Sequence, residues 1–383
     1  MKRSTDRFLT THTGSLPRPD DLIQMMYAVA EGVPVDRAAL DGRIRSAVEQ
    51  VMKQQIDAGV DAVNDGEMSK PSYSTYVKDR VDGFGGTDQP RLKYQDLADF
   101  PPLLAKAYAD PGRQRRRIPS CNAPISARGT QAVEADIANL KAAAGKLKPV
   151  DTFMSSASPG VIAIFFHNGY YKSREDYIHA IAEAMRPEYE AIAKAGLTLQ
   201  IDCPDFAMGR HIQFPDASVE EFRKELEVNL EALNSATRNI APEQMRMHLC
   251  WGNYDGPHHY DVPLKDVIDV VFRARPAAIS FEAANPRHAH EWEVFEEVKL
   301  PAGKVLIPGV LESKGNFIEH PELIAQRIGR YAKLVGRENV LAGSDCGYGT
   351  WVGQAAVDAG VVFAKLAAMA EGARLATKEF WGK

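Results

Sequence analysis

The segment QMRMHLCWG at residues 244–252 contains the two features that decide the predicted fold and site. It is rich in apolar residues, as expected of a buried strand, and it ends near two reactive side chains, His248 and Cys250. Side chains two positions apart on a strand point to the same side, so these two face together and Leu249 faces away. The segment therefore predicts a strand that presents an imidazole and a thiol together at its carboxyl end.

Seven further segments have the same character, a short apolar run bounded by polar residues. They are FLTTHTGS (8–15), VDAVNDGE (60–67), PVDTFMSSA (149–157), LTLQIDCP (197–204), AAISFEAAN (277–285), KVLIPGVLE (304–312) and NVLAGSDCG (339–347). Helical patterns lie between strands, among them residues 38–58, 174–195, 218–236, 264–275 and 321–334. Strand and helix in this alternation predict an α/β fold, the (β/α)₈ TIM barrel of parallel strands. An open, doubly wound sheet is the alternative architecture.

Residues 68–148 are too long for one crossover and are predicted to form an insertion after the second strand. The insertion contains an arginine-rich loop (113–117), an apolar segment (118–126) and a helical run (130–146). We interpret it as a hairpin or lid over one end of a single barrel domain that spans residues 1–383.

The composition argues against several function classes. A formal net charge of -5 gives no basic excess for nucleic acid or an anionic membrane surface. No apolar run reaches the roughly 18 residues of a membrane span, and the N-terminus lacks the apolar core of a signal peptide. Four widely spaced cysteines favour a reducing, cytoplasmic location over a disulfide framework. Small-molecule partners are expected, and a homo-oligomer is left open.

Polar, reactive residues end most of the predicted strands. They are Ser15, Asp65, Glu67, Asp202, His248, Cys250, Glu282, Glu312, Asp345 and Cys346. In a barrel the carboxyl ends of all strands open onto one face, so residues that are distant in sequence converge there. Imidazole, thiolate and carboxylate together suit zinc. The alternative is that each cysteine packs as a small apolar side chain and each acid forms a salt bridge.

The charge of such a zinc site indicates how a thiol could enter it. Two thiolates, one carboxylate and one neutral imidazole around Zn²⁺ leave one net negative charge. An incoming thiolate that replaces Glu282 keeps this charge unchanged, whereas simple addition makes the site more negative. Zinc also holds a thiol deprotonated at neutral pH, and a thiolate held in this way is a ready nucleophile.

Six motifs in this order resemble the catalytic half of cobalamin-independent methionine synthase. They are THTGSLPRP, VNDGE, LQIDCPDF, MHLCWGN, ISFEAAN and GSDCGYG, and the resemblance runs from Thr10 to about Gly349. It implies a TIM barrel of the superfamily that includes uroporphyrinogen decarboxylase, with homocysteine as the thiol and methyltetrahydrofolate as the donor. It also implies Zn²⁺ as the cofactor, bound by four residues: His248, Cys250, Glu282 and Cys346.

The resemblance further implies that four residues grip the amino-acid part of the thiol: Thr13, Ser15, Glu67 and Asp202. Capping of a helix by Ser15 and loop salt bridges of the acids are the alternatives. Arg18 could bind an anionic part of a substrate, because guanidinium matches carboxylate, phosphate and sulfonate. Where the family has a proton-donating histidine, this chain offers Glu312 or Lys314 as the general acid. His258 and His259 could approach the zinc face, and His288 and His290 could contact the zinc ligands, but exposed positions are predicted for both pairs.

Three functional hypotheses follow. The first is an enzyme, a zinc-dependent thiol S-alkyltransferase that moves methyl to homocysteine or a similar thiol. The second adds a coenzyme M-like thiol to an epoxide or another non-folate electrophile, as epoxyalkane:coenzyme M transferases do. The third is a non-catalytic, zinc-stabilised or thiol-sensing protein, since four filled ligand positions are compatible with a structural zinc site.

Overall fold

The computed structural model describes residues 1–86, 92–109, 118–354 and 356–382. The described residues contain nine strands, numbered here in chain order. They are β1 (Ala62–Val63), β2 (Val81–Gly85), β3 (Ser120–Ala127), β4 (Asp151–Ala157), β5 (Thr198–Asp202), β6 (Met245–Leu249), β7 (Ala278–Phe281), β8 (Val305–Leu311) and β9 (Gly343–Ser344). Seven of them form one curled parallel sheet in the order β1-β4-β5-β6-β7-β8-β9, while β2 and β3 form a separate antiparallel pair.

A short extended segment joins the two edges of the sheet and closes the barrel. Thr10 pairs in parallel with Ala342, whose N–H donates to the Leu9 carbonyl at 2.9 Å. On its other side, the Thr10 carbonyl accepts the N–H of Ala62 at 3.0 Å. The predicted first strand at 8–15 is therefore reduced to one bridging residue, but it occupies the expected place. The predicted TIM barrel is confirmed, and the open-sheet alternative is wrong.

Helices cover the outside of the barrel. Those of the described residues are Asp20–Ala30, Arg37–Asp57, Gln95–Ala98, Pro101–Tyr108, Gln131–Leu147, Pro159–Phe165, Arg174–Lys194, Gly209–Ile212, Val219–Ala236, Ile268–Phe272, Val294–Glu297, Pro321–Val335 and Ala359–Trp381. Ser218 and Glu221 form a reciprocal capping box at the start of Val219–Ala236. The helix expected at 264–275 is shorter, a 3₁₀ turn followed by Ile268–Phe272. None of the helices described is long and apolar enough to cross a membrane.

The insertion is anchored to the barrel by a buried arginine. Its antiparallel hairpin pairs β2 with β3. Arg80, just before β2, forms ion pairs with Asp136 and with Glu188 of the barrel helix Arg174–Lys194. Tyr76 donates its hydroxyl to the same Glu188 at 2.5 Å. These contacts fix the base of the hairpin, while the arginine-rich loop at 113–117 lies outside the described residues.

Candidate metal centre

A pocket opens at the carboxyl ends of the barrel strands, as expected for this fold. It encloses about 640 Å³ of empty space, part of which is open to solvent. The predicted site residues among its lining are Thr13, Ser15, Glu67, Asp202, His248, Cys250 and Cys346. The barrel therefore brings together residues from five strand ends that are up to several hundred positions apart in the chain.

Three predicted ligands meet at one point of this pocket. A nitrogen of His248 and the sulfurs of Cys250 and Cys346 lie within 4.8 Å of one another. The two sulfurs are 3.7 Å apart, too far for a disulfide but close to the ~3.8 Å expected for two thiolates at ~2.3 Å from a tetrahedral zinc. Both ring nitrogens of His248 are buried without a hydrogen-bond partner. A metal ion would satisfy this imidazole, so the residues fit zinc.

The two thiols of the cluster differ in acidity. The hydrogen bond from Cys250 and the proximity of His248 lower the pKa of Cys346 to about 6, against the opposing effect of burial. The same sulfur–sulfur hydrogen bond raises the pKa of Cys250. The pair therefore holds one thiolate near neutral pH, which favours capture of a cation.

Glu282, the fourth predicted ligand, lies beside the cluster. Its Oε1 is 3.4 Å from the Cys250 sulfur and accepts the backbone N–H of Trp251 at 2.9 Å. Its Oε2 accepts hydrogen bonds from the Asn285 side chain at 2.8 Å and from Lys314 Nζ at 3.2 Å. Burial alone would raise the pKa of Glu282, but the positive charge of Lys314 holds it below its usual range. The carboxylate is thus ionised and already fully hydrogen-bonded.

Asp345 builds the loop that carries Glu282. Its carboxylate accepts the backbone N–H groups of Ala283, Ala284 and Asn285, each at 2.8 Å. The sequence marks Asp345 only as one more acid at a strand end. Its positioning role depends on the neighbouring strand and could not be read from its own motif.

Two acids and two hydroxyl residues form the cradle predicted for an amino acid. Glu67 accepts the Ser155 hydroxyl through Oε1 at 2.7 Å, and its Oε2 is buried without a partner. Its backbone has φ 60, a strained value for a residue with a Cβ. Burial and the charge of Glu67 raise the pKa of Asp202 to about 7. Ser15 and Thr13 lie at the same pocket wall. A substrate ammonium group would satisfy the two acids.

A series of hydrogen bonds inside the barrel orients the residues of this cradle. The sequence did not predict it. Arg246 donates through Nε to Gln200 Oε1 at 2.8 Å. The oxygen of the Gln200 amide is thereby fixed, and its nitrogen donates to Asp202 Oδ1 at 2.7 Å and to the Thr13 carbonyl. The sequence signal was a Gln at position 200 of β5 and an Arg at position 246 of β6, where a barrel interior usually has apolar side chains.

Two predicted site residues bind backbone groups instead of facing the pocket. Arg18 was predicted to bind substrate and Glu312 to act as a general acid. The Arg18 guanidinium donates to the carbonyls of Gly349, Glu67 and Lys70. The Glu312 carboxylate accepts the N–H groups of its own turn, from Lys314 and Gly315. Neither side chain is among the residues that line the pocket.

Two histidines that were expected at exposed positions are buried next to the site. His258 and His288 are 5% and 3% exposed, because both rings bind the carboxylate of Asp261, at 2.9 Å and 3.0 Å. The expectation was wrong for these two residues. Their neighbours His259 and His290 are exposed as expected.

Aromatic side chains form the outer wall of the pocket. The rings of Tyr94 and Tyr254 meet edge to face at 4.8 Å between centroids, and those of Tyr73 and Phe165 do so at 5.9 Å. Trp351 lies at the same wall. Such a wall suits a flat, aromatic or apolar group.

Comparisons with known proteins agree with this geometry. The family model described as "Cobalamin-independent synthase, Catalytic domain" matches residues 130–373. Methionine synthase of Saccharolobus islandicus (strain L.S.2.15 / Lassen #1) is 24% identical over 372 residues, 97% of this chain and 95% of that protein. Methionine synthase of Thermococcus kodakarensis is 23% identical over 380 residues, 97% of this chain and 94% of that protein.

Solved structures share the fold. A B12-independent methionine synthase from Shewanella sp. W3-18-1, solved in complex with selenomethionine, superposes with a TM-score of 0.74 at 20% identity. The match covers 98% of this chain and 100% of that one. A putative vitamin-B12 independent methionine synthase from Listeria monocytogenes has a TM-score of 0.65 at 14% identity, over 99% of both chains.

Proposed function

We propose, because the chain belongs to the family of cobalamin-independent synthase catalytic domains, that it is a zinc-dependent transferase that moves a methyl group to the thiol of homocysteine. The observation that carries the proposal is the meeting of His248, Cys250 and Cys346 at one point of the pocket, with both nitrogens of the imidazole unpartnered. The relatives named methionine synthase support the choice of thiol.

The residues around the cluster bind and orient the thiol substrate. Zinc bound there would supply a thiolate at neutral pH. Glu67 and Asp202 take the ammonium group of homocysteine, since an unpartnered carboxylate oxygen and a second acid face the pocket. Ser15 lies where its hydroxyl can donate to the carboxylate of homocysteine, while the Thr13 hydroxyl donates to the Ser344 carbonyl and lines the same pocket. The amino acid is thus held at its two charged groups, and its sulfur points to the ligand cluster.

The donor lies against the aromatic wall. We propose methyltetrahydrofolate, whose flat pteridine ring matches the rings of Tyr94, Tyr254 and Trp351. A sulfur–carbon bond forms, the bond between methyl and N5 breaks, and the departing nitrogen takes up a proton. Neither predicted acid is well placed to supply this proton. Glu312 is turned to its own loop, and, despite burial, the charges of Glu282 and Cys250 raise the pKa of Lys314.

Single substitutions of the sulfur ligands test the proposal. Cys250→Ser and Cys346→Ser are expected to lose zinc and methyl transfer together, while Cys121→Ser, a buried cysteine of β3, retains both. Metal analysis and turnover of homocysteine with methyltetrahydrofolate are the measurements. Near one zinc per chain and unchanged turnover in both ligand variants would contradict the proposal.

A second candidate keeps the metal and changes the electrophile to an epoxide. It is favoured by Glu312 and Lys314, which stand where the family has a proton-donating histidine. A screen of thiols against donors distinguishes the two, since turnover with an epoxide and not with methyltetrahydrofolate selects the second. All four cysteines are free and buried, which supports a reducing, cytoplasmic location for either enzyme.

A further inference from the structure

We propose that Lys314 and His258 hold the Glu282 carboxylate beside the ligand cluster, so that the fourth metal position is available to the substrate thiolate. This inference rests on the proposed function. It makes Lys314 and His258 positioning residues and distinguishes an open, reactive zinc site from a closed, structural one.

The hydrogen bonds of Glu282 show what holds its carboxylate in place. The three clustered ligand atoms do not include a Glu282 oxygen, and both of its oxygens have other partners. Lys314 Nζ, at 3.2 Å from Oε2, is the only cation in hydrogen-bond contact with this carboxylate among the described residues. A buried carboxylate needs such a partner. Lys314 therefore stabilises Glu282 in a position that does not depend on a metal bond.

His258 fixes the place of the Lys314 ammonium. Its Nε2 lies 3.4 Å from Lys314 Nζ and 3.1 Å from the Tyr254 carbonyl, and its Nδ1 faces Asp261 at 2.9 Å. The ring is thus held between Asp261 and the Tyr254 carbonyl, and its Nε2 edge packs against the ammonium of Lys314.

A second histidine binds Asp261, the acid that holds the His258 ring. His288 lies between Asp261 and Glu291, at 3.0 Å and 2.8 Å. Burial opposes its charge, but the hydrogen bonds to both acids raise the pKa of His288 to about 9. His288 therefore stabilises the Asp261 carboxylate to which the His258 ring is bound.

The insertion holds His258 in place through a hydrogen bond to the backbone N–H of His258. His258 has φ 54, a strained value, and its N–H donates to Asp96 Oδ2 at 3.0 Å. Asp96 belongs to the helix Gln95–Ala98 of the insertion and also accepts the Tyr254 hydroxyl at 2.6 Å. The contact with Lys314 thus depends on a residue far from the ligand cluster.

Charge balance explains why thiol binding in particular needs Lys314. Without substrate, the site contains one anion besides the two cysteine sulfurs, the Glu282 carboxylate. With substrate bound, it contains the thiolate and Glu282 together. Because the ammonium of Lys314 lies against Glu282, the site with zinc and the thiolate bound carries one net negative charge, whereas it would carry two without Lys314.

Lys314→Met tests the inference by binding rather than by turnover. Removing a residue that merely supports a metal site weakens metal binding by about 10–100-fold. Here zinc affinity, measured by competition with a chelating dye, is expected to be unchanged or tighter, because Glu282 is free to join the metal. Homocysteine affinity of the zinc-loaded protein, measured by calorimetry, is expected to fall at least about tenfold, or ~1.4 kcal/mol. Lys314→Arg should restore most of it.

Two outcomes would overturn the inference: zinc affinity that falls with the thiol affinity, or thiol affinity that does not change. His258→Gln is expected to give a weaker form of the Lys314→Met result, and His259→Gln, at the exposed neighbour paired with Asp99, no effect. Thermal unfolding of each metal-free variant verifies its folding. If the wild-type protein binds no homocysteine, the proposed function fails; if it binds and methylates homocysteine but the variants match it, only this inference fails.

Discussion

Gly309 and Asp345 are in such close contact that a Cβ on Gly309 would lie 2.0 Å from Asp345 Oδ1. The two residues sit on the adjacent strands β8 and β9 or directly after them. Asp345 uses this space to reach the backbone of residues 283–285, directly after Glu282. The geometry of the predicted ligand Glu282 thus depends on the absence of a methyl group at Gly309, in the next strand of the sequence.

Gly309→Ala should therefore damage both stability and metal binding. We expect overpacking to lower the free energy of unfolding by about 1–3 kcal/mol, because Asp345 must move and release three N–H groups. Urea unfolding and zinc content are the measurements. Gly42→Ala is the control, since a Cβ at that helical position meets nothing within 4 Å and should stabilise by about 0.5–1 kcal/mol. Equal unfolding curves for Gly309→Ala and the wild type would refute the expectation.

Gln200 should matter for substrate binding and not for metal. Gln200→Met removes a hydrogen bond to the Asp202 carboxylate and leaves the Nε of Arg246 without its acceptor. We expect KM for homocysteine to rise about tenfold, as for loss of a bond to a charged group, with zinc content unchanged. Gln244→Met is the matched control, because Gln244 contacts backbone carbonyls of Ala193 and Leu197 outside the pocket. A similar KM in both variants would contradict this role.

Homocysteine binding should release a proton below neutral pH. Burial and the charge of Glu67 raise the pKa of Asp202 to about 7, so below that pH its carboxyl is protonated. The substrate ammonium favours the carboxylate, so below about pH 7 Asp202 should release a proton in addition to the proton that the thiol loses when it binds as a thiolate. Calorimetry in buffers of different ionisation enthalpy measures the proton. Asp202→Asn should bind more weakly and release less; the same release as in the wild type would exclude Asp202 as its source.

The raised pKa of Asp202 also makes the stability of the unligated protein depend on pH. The folded state binds more protons at Asp202 than the unfolded state between pH of about 4 and 7. The stability from this group is therefore present at low pH and is lost as pH rises through that window. Asp202→Asn should flatten this part of the stability profile, as measured by urea unfolding at several pH values.

Arg80 should be the main anchor of the insertion. It is 11% exposed and forms ion pairs with Asp136 and Glu188. Arg80→Met leaves two buried carboxylates unpaired and should cost about 3–5 kcal/mol. Arg128→Met removes an exposed pair with Asp82 from the same hairpin and should cost below about 1 kcal/mol. Equal losses in chemical denaturation would show that burial of the pair is unimportant.

The strand ends and their reactive residues were predictable because they depend on local sequence. Alternation of apolar residues reveals the strands, and the barrel brings their carboxyl ends together. His248, Cys250 and Cys346 meet as that reasoning requires. Their identity as metal ligands still awaits the metal analysis, as do the roles of the cradle residues.

The partners of those residues were not predictable, because each depends on contacts between distant segments. In the sequence Asp345 is one acid among many, and only the structure shows that Gly309 leaves room for its side chain. The sequence predicts His258 in an exposed loop, whereas in the structure it is buried and hydrogen-bonded to Asp96 and Asp261. Arg18 reads as an anion binder, but its guanidinium joins three backbone carbonyls instead. Such pairings require the folded chain.

The seam of the barrel has a consequence for synthesis. Phe8, next to the closing residue Thr10, donates its N–H to Thr377 and packs against Phe380 and Trp381 of the helix Ala359–Trp381. The partners Phe8 and Thr377 are 369 residues apart. At 5–20 residues per second a ribosome needs roughly 20–70 seconds to make that stretch. The side of the first strand that faces Ala342 therefore stays unpaired for most of this time, whereas the side that faces Ala62 can pair early.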